Sequence, residues 1–199
     1  MLTTLSTVKS RLGILETDTQ YDALLTTAIK ATSARFDRET RRTLARQVDA
    51  TDEFFPDDTE IIATRYPIES VTKFELKTDE TEGWAEQTGI KYLVCSASII
   101  SLPSPLAFSL QPLAFPATAR VTYTGGYVLP GTTPGAGQTA LPDDLEQAAV
   151  EQVAFWFQKR DHQGIRTSWP YNGEYKQYAS LDLLPPVAAV LRSYERISI

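Results

Sequence analysis

Apolar positions recur with helical spacing towards both ends of the chain. A recurrence every three or four positions predicts a short helix over residues 5–12, a longer one over residues 18–42 and a last one that begins at Pro185. Thr17 and Gln20, three positions apart, predict a capping box at the start of the second helix. The pattern therefore indicates a helical body made from the two ends of the chain.

Segments of a different kind fill the middle. Residues 48–128 hold short β-branched and aromatic runs separated by turn residues, and the alternation of ESVTKFELK slips once, which predicts a twist or bulge. Residues 129–140, with their glycines and prolines, predict a flexible loop. We therefore expect an α+β fold. Its helical bundle body, residues 1–47 and 141–199, ends in a C-terminal arm and carries an inserted antiparallel β module, residues 48–128.

The predicted helix over residues 141–161 has apolar side chains on nearly all sides. On a helical wheel, one face carries Leu145, Ala149, Val153 and Trp156. Phe155 extends this face to one side, and only a narrow sector of the helix is polar. A helix of this kind is buried on nearly all sides, so this one is expected to pack against several neighbours.

Two interpretations remain for what covers Phe155. One is contact with another subunit, which we prefer. The other is cover by the polar and aromatic arm at residues 162–184 of the same chain. The aromatic residues of this arm are Trp169, Tyr171, Tyr175 and Tyr178.

Composition narrows the classes of protein to consider. The chain has 199 residues and a formal net charge of -6, which argues against a dedicated nucleic-acid-binding protein. It has no signal-peptide pattern and no run near the roughly 20 apolar residues of a membrane-spanning helix, so no membrane partner is expected. The single cysteine excludes an internal disulfide framework and is typical of assembly in a reducing cytoplasm.

The chemistry-bearing residues do not form a catalytic pattern. His162 is the only histidine and is interpreted as a solvated loop residue. Cys95 lies in an apolar predicted strand and is interpreted as a small buried hydrophobic residue. The carboxylate pairs are typical of turns or of a helix start. We therefore expect no catalytic residues, no metal site and no cofactor.

A basic stretch over residues 30–46 allows three interpretations. It contains six basic residues against Asp37 and Glu39. They could contact phosphates, form the solvated end of a helix, or make salt bridges with an acidic partner surface.

The order of the segments resembles that of the head-tail connector (adaptor) proteins of tailed bacteriophages. The resemblance covers most of the chain. It rests on the segments LSTVKSRLGI, DTQYDALLTTAIKATSARFDRET, TRYPIESVTKFEL, VTYTGGYVLP, LPDDLEQAAVEQVAFWFQKRD and LLPPVAAVLRSYER. The larger β module and the loop at residues 129–142 depart from the shorter members of that family.

The resemblance implies a structural, non-enzymatic virion protein. It would assemble in the host cytoplasm into a homo-oligomeric ring under the portal protein at the head-tail junction. The ring would extend the DNA channel, let genomic DNA pass without specific binding, and support downstream neck or tail proteins. The candidate contacts with other copies or with the portal are Phe155, Trp156, Trp169, Tyr171, Tyr175, Tyr178, Arg38, Arg41 and Arg42. The alternatives are a tail-completion or terminator protein, a small carbohydrate-active module and a DNA-binding module.

Overall fold

A computed structural model describes residues 1–106, 117–160 and 183–196. This part of the chain is α+β, with four helices and with strands in two antiparallel sheets. Its residues fall into two compact units. The helical unit takes Met1–Thr40 and Leu141–Glu195, and the β unit takes Arg41–Ala140 and Arg196. The boundaries of body, module and loop given by the sequence stay predictions, because a compact unit is not by itself an independently folding domain.

The helical unit is organised around its third helix. The helices are α1 (Leu5–Leu12), α2 (Asp22–Glu39), α3 (Asp143–Gln158) and α4 (Pro185–Ser193). α3 contacts each of the other three, and this explains why its apolar residues are not confined to one face. Its core with α1 and α2 contains Val8, Leu25, Ile29, Val150 and Val153.

The start of α2 differs from the prediction. The proposed capping box of Thr17 and Gln20 is wrong, because the N-cap position is Tyr21 and makes no side-chain cap hydrogen bond. The backbone N–H of Gln20 donates instead to the Asp18 side chain at 3.0 Å, which forms a turn before the helix.

A buried ion pair joins α1 to the first turn of α2. The Nζ atom of Lys9 lies 2.6 Å from an Asp22 carboxylate oxygen, and only 2 % of the Lys9 side chain is exposed. A buried lysine needs such a partner, since an unpaired charge in the interior is costly. This pair requires the tertiary fold, so capping patterns in the sequence could not indicate where α2 begins.

The end of α2 and the start of α4 also have local causes. α2 ends at Glu39, and the left-handed backbone of Arg41, with φ of 53°, stops the helix before the predicted residue 42. α4 begins at Pro185, as predicted. Just before it, the backbone N–H of Leu184 donates to the side-chain oxygen of Gln152 at 2.9 Å, which fixes α4 to α3. Gln152 is fully buried.

The β unit contains two antiparallel sheets. One has the order β1-β7-β3-β4 and the other has the order β2-β6-β5. The strands are β1 (Gln47–Phe54), β2 (Glu60–Ile62), β3 (Ile68–Lys77), β4 (Ala85–Gln87), β5 (Leu93–Cys95), β6 (Ile99–Ser101) and β7 (Thr118–Gly125). The register of β3 against β7 shifts between Val71 and Lys73, which confirms the irregularity predicted for ESVTKFELK.

The prediction that Cys95 is buried is wrong. Cys95 is exposed, because β5 is an edge strand that pairs with β6 alone among the described strands. All three residues of β5 are exposed, including Leu93 at 71 %. An apolar strand sequence does not indicate burial when the strand lies at the edge of a sheet.

The glycines of TYTGGYV have a structural role at the end of β7. A Cβ atom on Gly125 would lie 2.5 Å from the backbone oxygen of Arg65. A Cβ atom on Gly126 would lie 2.7 Å from the backbone oxygen of Ala45. The pair therefore lets backbone segments approach more closely than a side chain would allow.

A buried hydrogen-bond network joins three strand regions of the β unit. The Tyr123 hydroxyl donates to an Asp52 carboxylate oxygen at 2.7 Å and accepts the Arg65 backbone N–H at 3.0 Å. The same Asp52 carboxylate accepts the backbone N–H and the hydroxyl of Thr64, each at 2.6 Å. Burial, and then the nearby Asp52 carboxylate, raises the pKa of Tyr123 to about 12.

We predict that Tyr123→Phe destabilises the protein by about 1–3 kcal/mol near neutral pH, because it leaves buried partners unsatisfied. Tyr123 has a higher pKa in the folded state than the ordinary value of 10.0, so its contribution is complete below pH 10 and is lost as the pH rises through 12. The free-energy difference between wild type and variant in urea unfolding should therefore shrink over this interval.

Tyr92→Phe is the matched control, because the Tyr92 hydroxyl makes only an exposed hydrogen bond. It should change the free energy of unfolding by less than about 0.5 kcal/mol at every pH. A Tyr123→Phe difference that stays constant from pH 9 to pH 12 would contradict the assigned role of the buried hydroxyl.

Candidate functional site

An apolar groove lies on the helical unit between α2 and the end of α3, with a volume of ≈ 280 Å³. Its α2 side is formed by Leu24, Thr27, Ala28 and Ala31, and its α3 side by Trp156 and Phe157. The groove contains one of the candidate contact residues predicted from the sequence, Trp156. Phe155 is half-buried and does not line it.

Side-chain size on the two helices explains the groove. Thr27, Ala28 and Ala31 lie on one side of α2 at helical spacing, so small side chains face large aromatic ones on α3. Leu24, an apolar residue in the first turn of α2, is 48 % exposed. These α2 residues were not identified from the sequence as part of a site. Their small side chains at helical spacing could have indicated a groove on this side of α2.

Two residues that line the groove, Phe157 and Arg160, stack with Tyr21. The rings of Tyr21 and Phe157 meet edge to face, with centroids 5.2 Å apart. The Arg160 guanidinium lies 4.2 Å from the Phe157 ring centroid and 5.3 Å from that of Tyr21. Arg160 also donates to the backbone oxygen of Phe157 at 3.0 Å, which satisfies a carbonyl at the end of α3.

The Trp156 side chain, which lines the groove, also carries a buried polar atom. Its indole Nε1 atom is buried and has no hydrogen-bond acceptor within the described ranges of the chain. A buried N–H without a partner costs about 1–3 kcal/mol. Leu145, Ala149 and Val153, which share its face on the wheel, are buried, whereas Trp156 itself is only half-buried. Trp156 thus marks the point where the packed part of α3 ends.

The candidate arginines do not form one surface. Arg38 is exposed on α2 and Arg41 is exposed just after it. Arg42 is 3 % exposed, with its guanidinium 3.2 Å from the centroid of the Tyr66 ring and a hydrogen bond to the Tyr66 backbone oxygen. Little of Arg42 therefore remains for contact with a partner. Arg46 forms an ion pair with Glu69 at 2.7 Å.

Several sequence expectations concern residues outside the described ranges. These are the aromatic residues Trp169, Tyr171, Tyr175 and Tyr178, the histidine His162 and most of the arm at residues 162–184. Within the described ranges, no group of three or more His, Cys, Asp or Glu side chains could hold a metal ion. None of the helices described is long and apolar enough to cross a membrane.

Comparisons with known proteins place this fold among phage-like particles. The family model described as "Head completion protein" (HCP) matches residues 1–197. A chain of the "Neck of empty GTA particle computed with C6 symmetry" is 16 % identical, with a TM-score of 0.57 and coverage of 98 % of this chain and 89 % of that one.

A second solved structure has the same fold. A chain of the "Virion of native gene transfer agent (GTA) particle" is 15 % identical, with a TM-score of 0.54 and the same coverage of 98 % and 89 %. No curated protein matches the chain.

We predict that Trp156→Phe leaves the free energy of unfolding unchanged or raises it by up to about 2 kcal/mol, because it removes a buried N–H that has no acceptor among the described residues. Trp156→Ala should lower it by about 1–3 kcal/mol, since it removes the apolar ring as well. Urea unfolding of the isolated protein measures both. A loss of more than 1 kcal/mol in Trp156→Phe would contradict this expectation.

Proposed function

The chain belongs to the head completion protein family, and we propose from that membership that it is a structural protein of the virion neck, joining head to tail. In this proposal the protein forms a homo-oligomeric ring under the portal protein. The ring extends the DNA channel and presents a surface to downstream neck or tail proteins. It acts through shape and contact.

The family match over residues 1–197 carries this proposal. The fold similarity to a chain in a neck computed with C6 symmetry supports a cyclic arrangement. In a cyclic ring every copy uses two different surfaces, one for each neighbour, so the chain needs distinct and complementary contact patches.

The helical unit supplies the proposed bundle body and one such patch. The groove between α2 and α3 exposes apolar surface on a rigid pair of helices, as contact sites in oligomers do. Trp156 is the proposed contact residue of this groove. Phe155, Arg38 and Arg41 are proposed as separate contacts with other copies or with the portal. Trp169, Tyr171, Tyr175 and Tyr178 of the arm are proposed to contact the portal or a neighbouring copy.

The charge of the chain is consistent with passage of DNA. A net charge of -6 weakens attraction to phosphates, and strong binding to a channel wall would hinder movement of the genome. Arg42 and Arg46, from the basic stretch that suggested phosphate contact, are engaged with Tyr66 and Glu69. The genome is therefore proposed to pass without specific binding.

Leu24→Glu tests the contact role of the groove in tail attachment. Purified variant is added to DNA-filled heads that lack this protein, then mixed with tails, and joined particles are counted by electron microscopy. Placing a carboxylate in an apolar contact should reduce joining at least about tenfold, because an unpaired buried charge is costly. Leu24 is 48 % exposed, so the unfolding free energy should change little.

Leu15→Glu is the matched control, since Leu15 is 74 % exposed and does not line the groove. It should join heads to tails as efficiently as the wild type. Full joining by Leu24→Glu would remove the groove from the proposed contacts. Binding of the wild-type protein to free tails, without binding to heads, would instead support a tail-completion role.

A further inference from the structure

The groove between α2 and α3 has the size and chemistry of a receptor for side chains. Its volume of ≈ 280 Å³ lies just below the roughly 300–1,000 Å³ of small-molecule pockets. Leu24 and Ala28 on one side face Trp156 and Phe157 on the other. An aromatic side chain meets the aromatic faces and edges that it prefers in such surroundings.

The occupant that suits this surface is an aromatic peptide. Trp156 and Phe157 supply aromatic rings, and Leu24, Ala28 and Ala31 supply aliphatic surface. A peptide rich in tyrosine and tryptophan brings large, mainly apolar rings that pack well against such a lining.

The chain itself contains such a peptide, and it begins at the groove. Residues 161–182 directly follow Arg160, which lines the groove. They include Trp169, Tyr171, Tyr175 and Tyr178, separated mainly by polar residues. Side chains spaced in this way need apolar surface from elsewhere to be buried.

Residues 161–182 are more residues than are needed to connect the end of α3 to the start of α4. The chain returns beside Gln152, where the Leu184 N–H is bound, and Gln152 lies eight positions before Arg160. Eight residues of α3 span about 12 Å, a distance that roughly four extended residues can cross. The 22 residues from 161 to 182 could instead reach about 30 Å outward and back. That reach is more than twice the diameter of a helix, so the peptide is long enough to cross to a neighbouring subunit.

We propose that the groove of each copy receives an aromatic side chain from residues 161–182 of the adjacent copy. This inference rests on the proposed ring. Each copy then offers one groove and one peptide, two different patches that make a heterologous contact. Such a contact repeats from copy to copy around a ring. When the ring closes, every groove is filled. The same exchange fixes the order of assembly, because the peptide of one copy finds its groove only when a neighbour is in place.

Site-specific photo-crosslinking tests this exchange in assembled rings. Benzoylphenylalanine replaces Thr27, which is exposed and lines the groove, and in a second protein it replaces Ala23, which is exposed on the same helix outside the groove. Each protein is prepared in ordinary and ¹⁵N-labelled form, mixed in equal amounts before assembly on heads, irradiated and digested. Mass spectrometry identifies the peptides joined and their isotope labels.

The Thr27 probe should crosslink to a peptide from residues 161–182, and about half of these products should join an ordinary chain to a labelled one. Half is the fraction that random mixing gives for contacts between copies. The Ala23 probe should give at least about fivefold less of this product. Products that carry a single label would show that each chain fills its own groove, and products with portal or tail peptides would identify another occupant. Either result overturns the exchange.

Tail joining by the same preparations separates this inference from the proposed function. Rings that join heads to tails but give no crosslink to residues 161–182 overturn the exchange and leave the neck role intact. Protein that neither assembles on heads nor joins tails overturns the neck role, and the exchange with it.

Discussion

Burial of α3 on most of its circumference is the constraint on which the helical unit depends. α3 contacts α1, α2 and α4, with Leu145 and Val153 fully buried at these contacts. Its partners come from both ends of the chain, since α2 ends at Glu39 and α3 begins at Asp143. In the order of the chain, the β unit therefore separates α1 and α2 from α3 and α4. These two segments must come together in the fold to bury α3. Even the polar Gln152 is used, because it binds the backbone at the start of α4.

The same constraint accounts for the proposed contact surface. α3 continues past its fully buried stretch to Trp156 and Phe157, where α2 offers only small side chains and Leu24. Among the residues that the structure describes, this apolar helix end is only partly covered, and we propose it as a surface for another chain. In a head completion protein, whose role is to connect other assemblies, an uncovered end of the central helix is where connection is expected. In this proposal, one part of α3 packs within the helical unit, and its end contacts another chain.

Local patterns in the sequence predicted the local features of the fold. The irregularity of β3 near Val71 and the start of α4 at Pro185 follow from neighbouring residues alone, and both are confirmed. Features set by distant residues were not predictable in this way. Cys95 is exposed because of strand order, and α2 starts where Asp22 meets the buried Lys9. The groove joins residues more than 100 positions apart, so only the aromatic half of it could be suspected from the sequence.

Cryo-electron microscopy of the assembled head-tail junction tests the central claim most directly. We expect a closed ring of this chain between portal and tail, with the groove beside Trp156 covered by density from another copy. A ring whose grooves face solvent, or density for this chain only at another place in the particle, would contradict it.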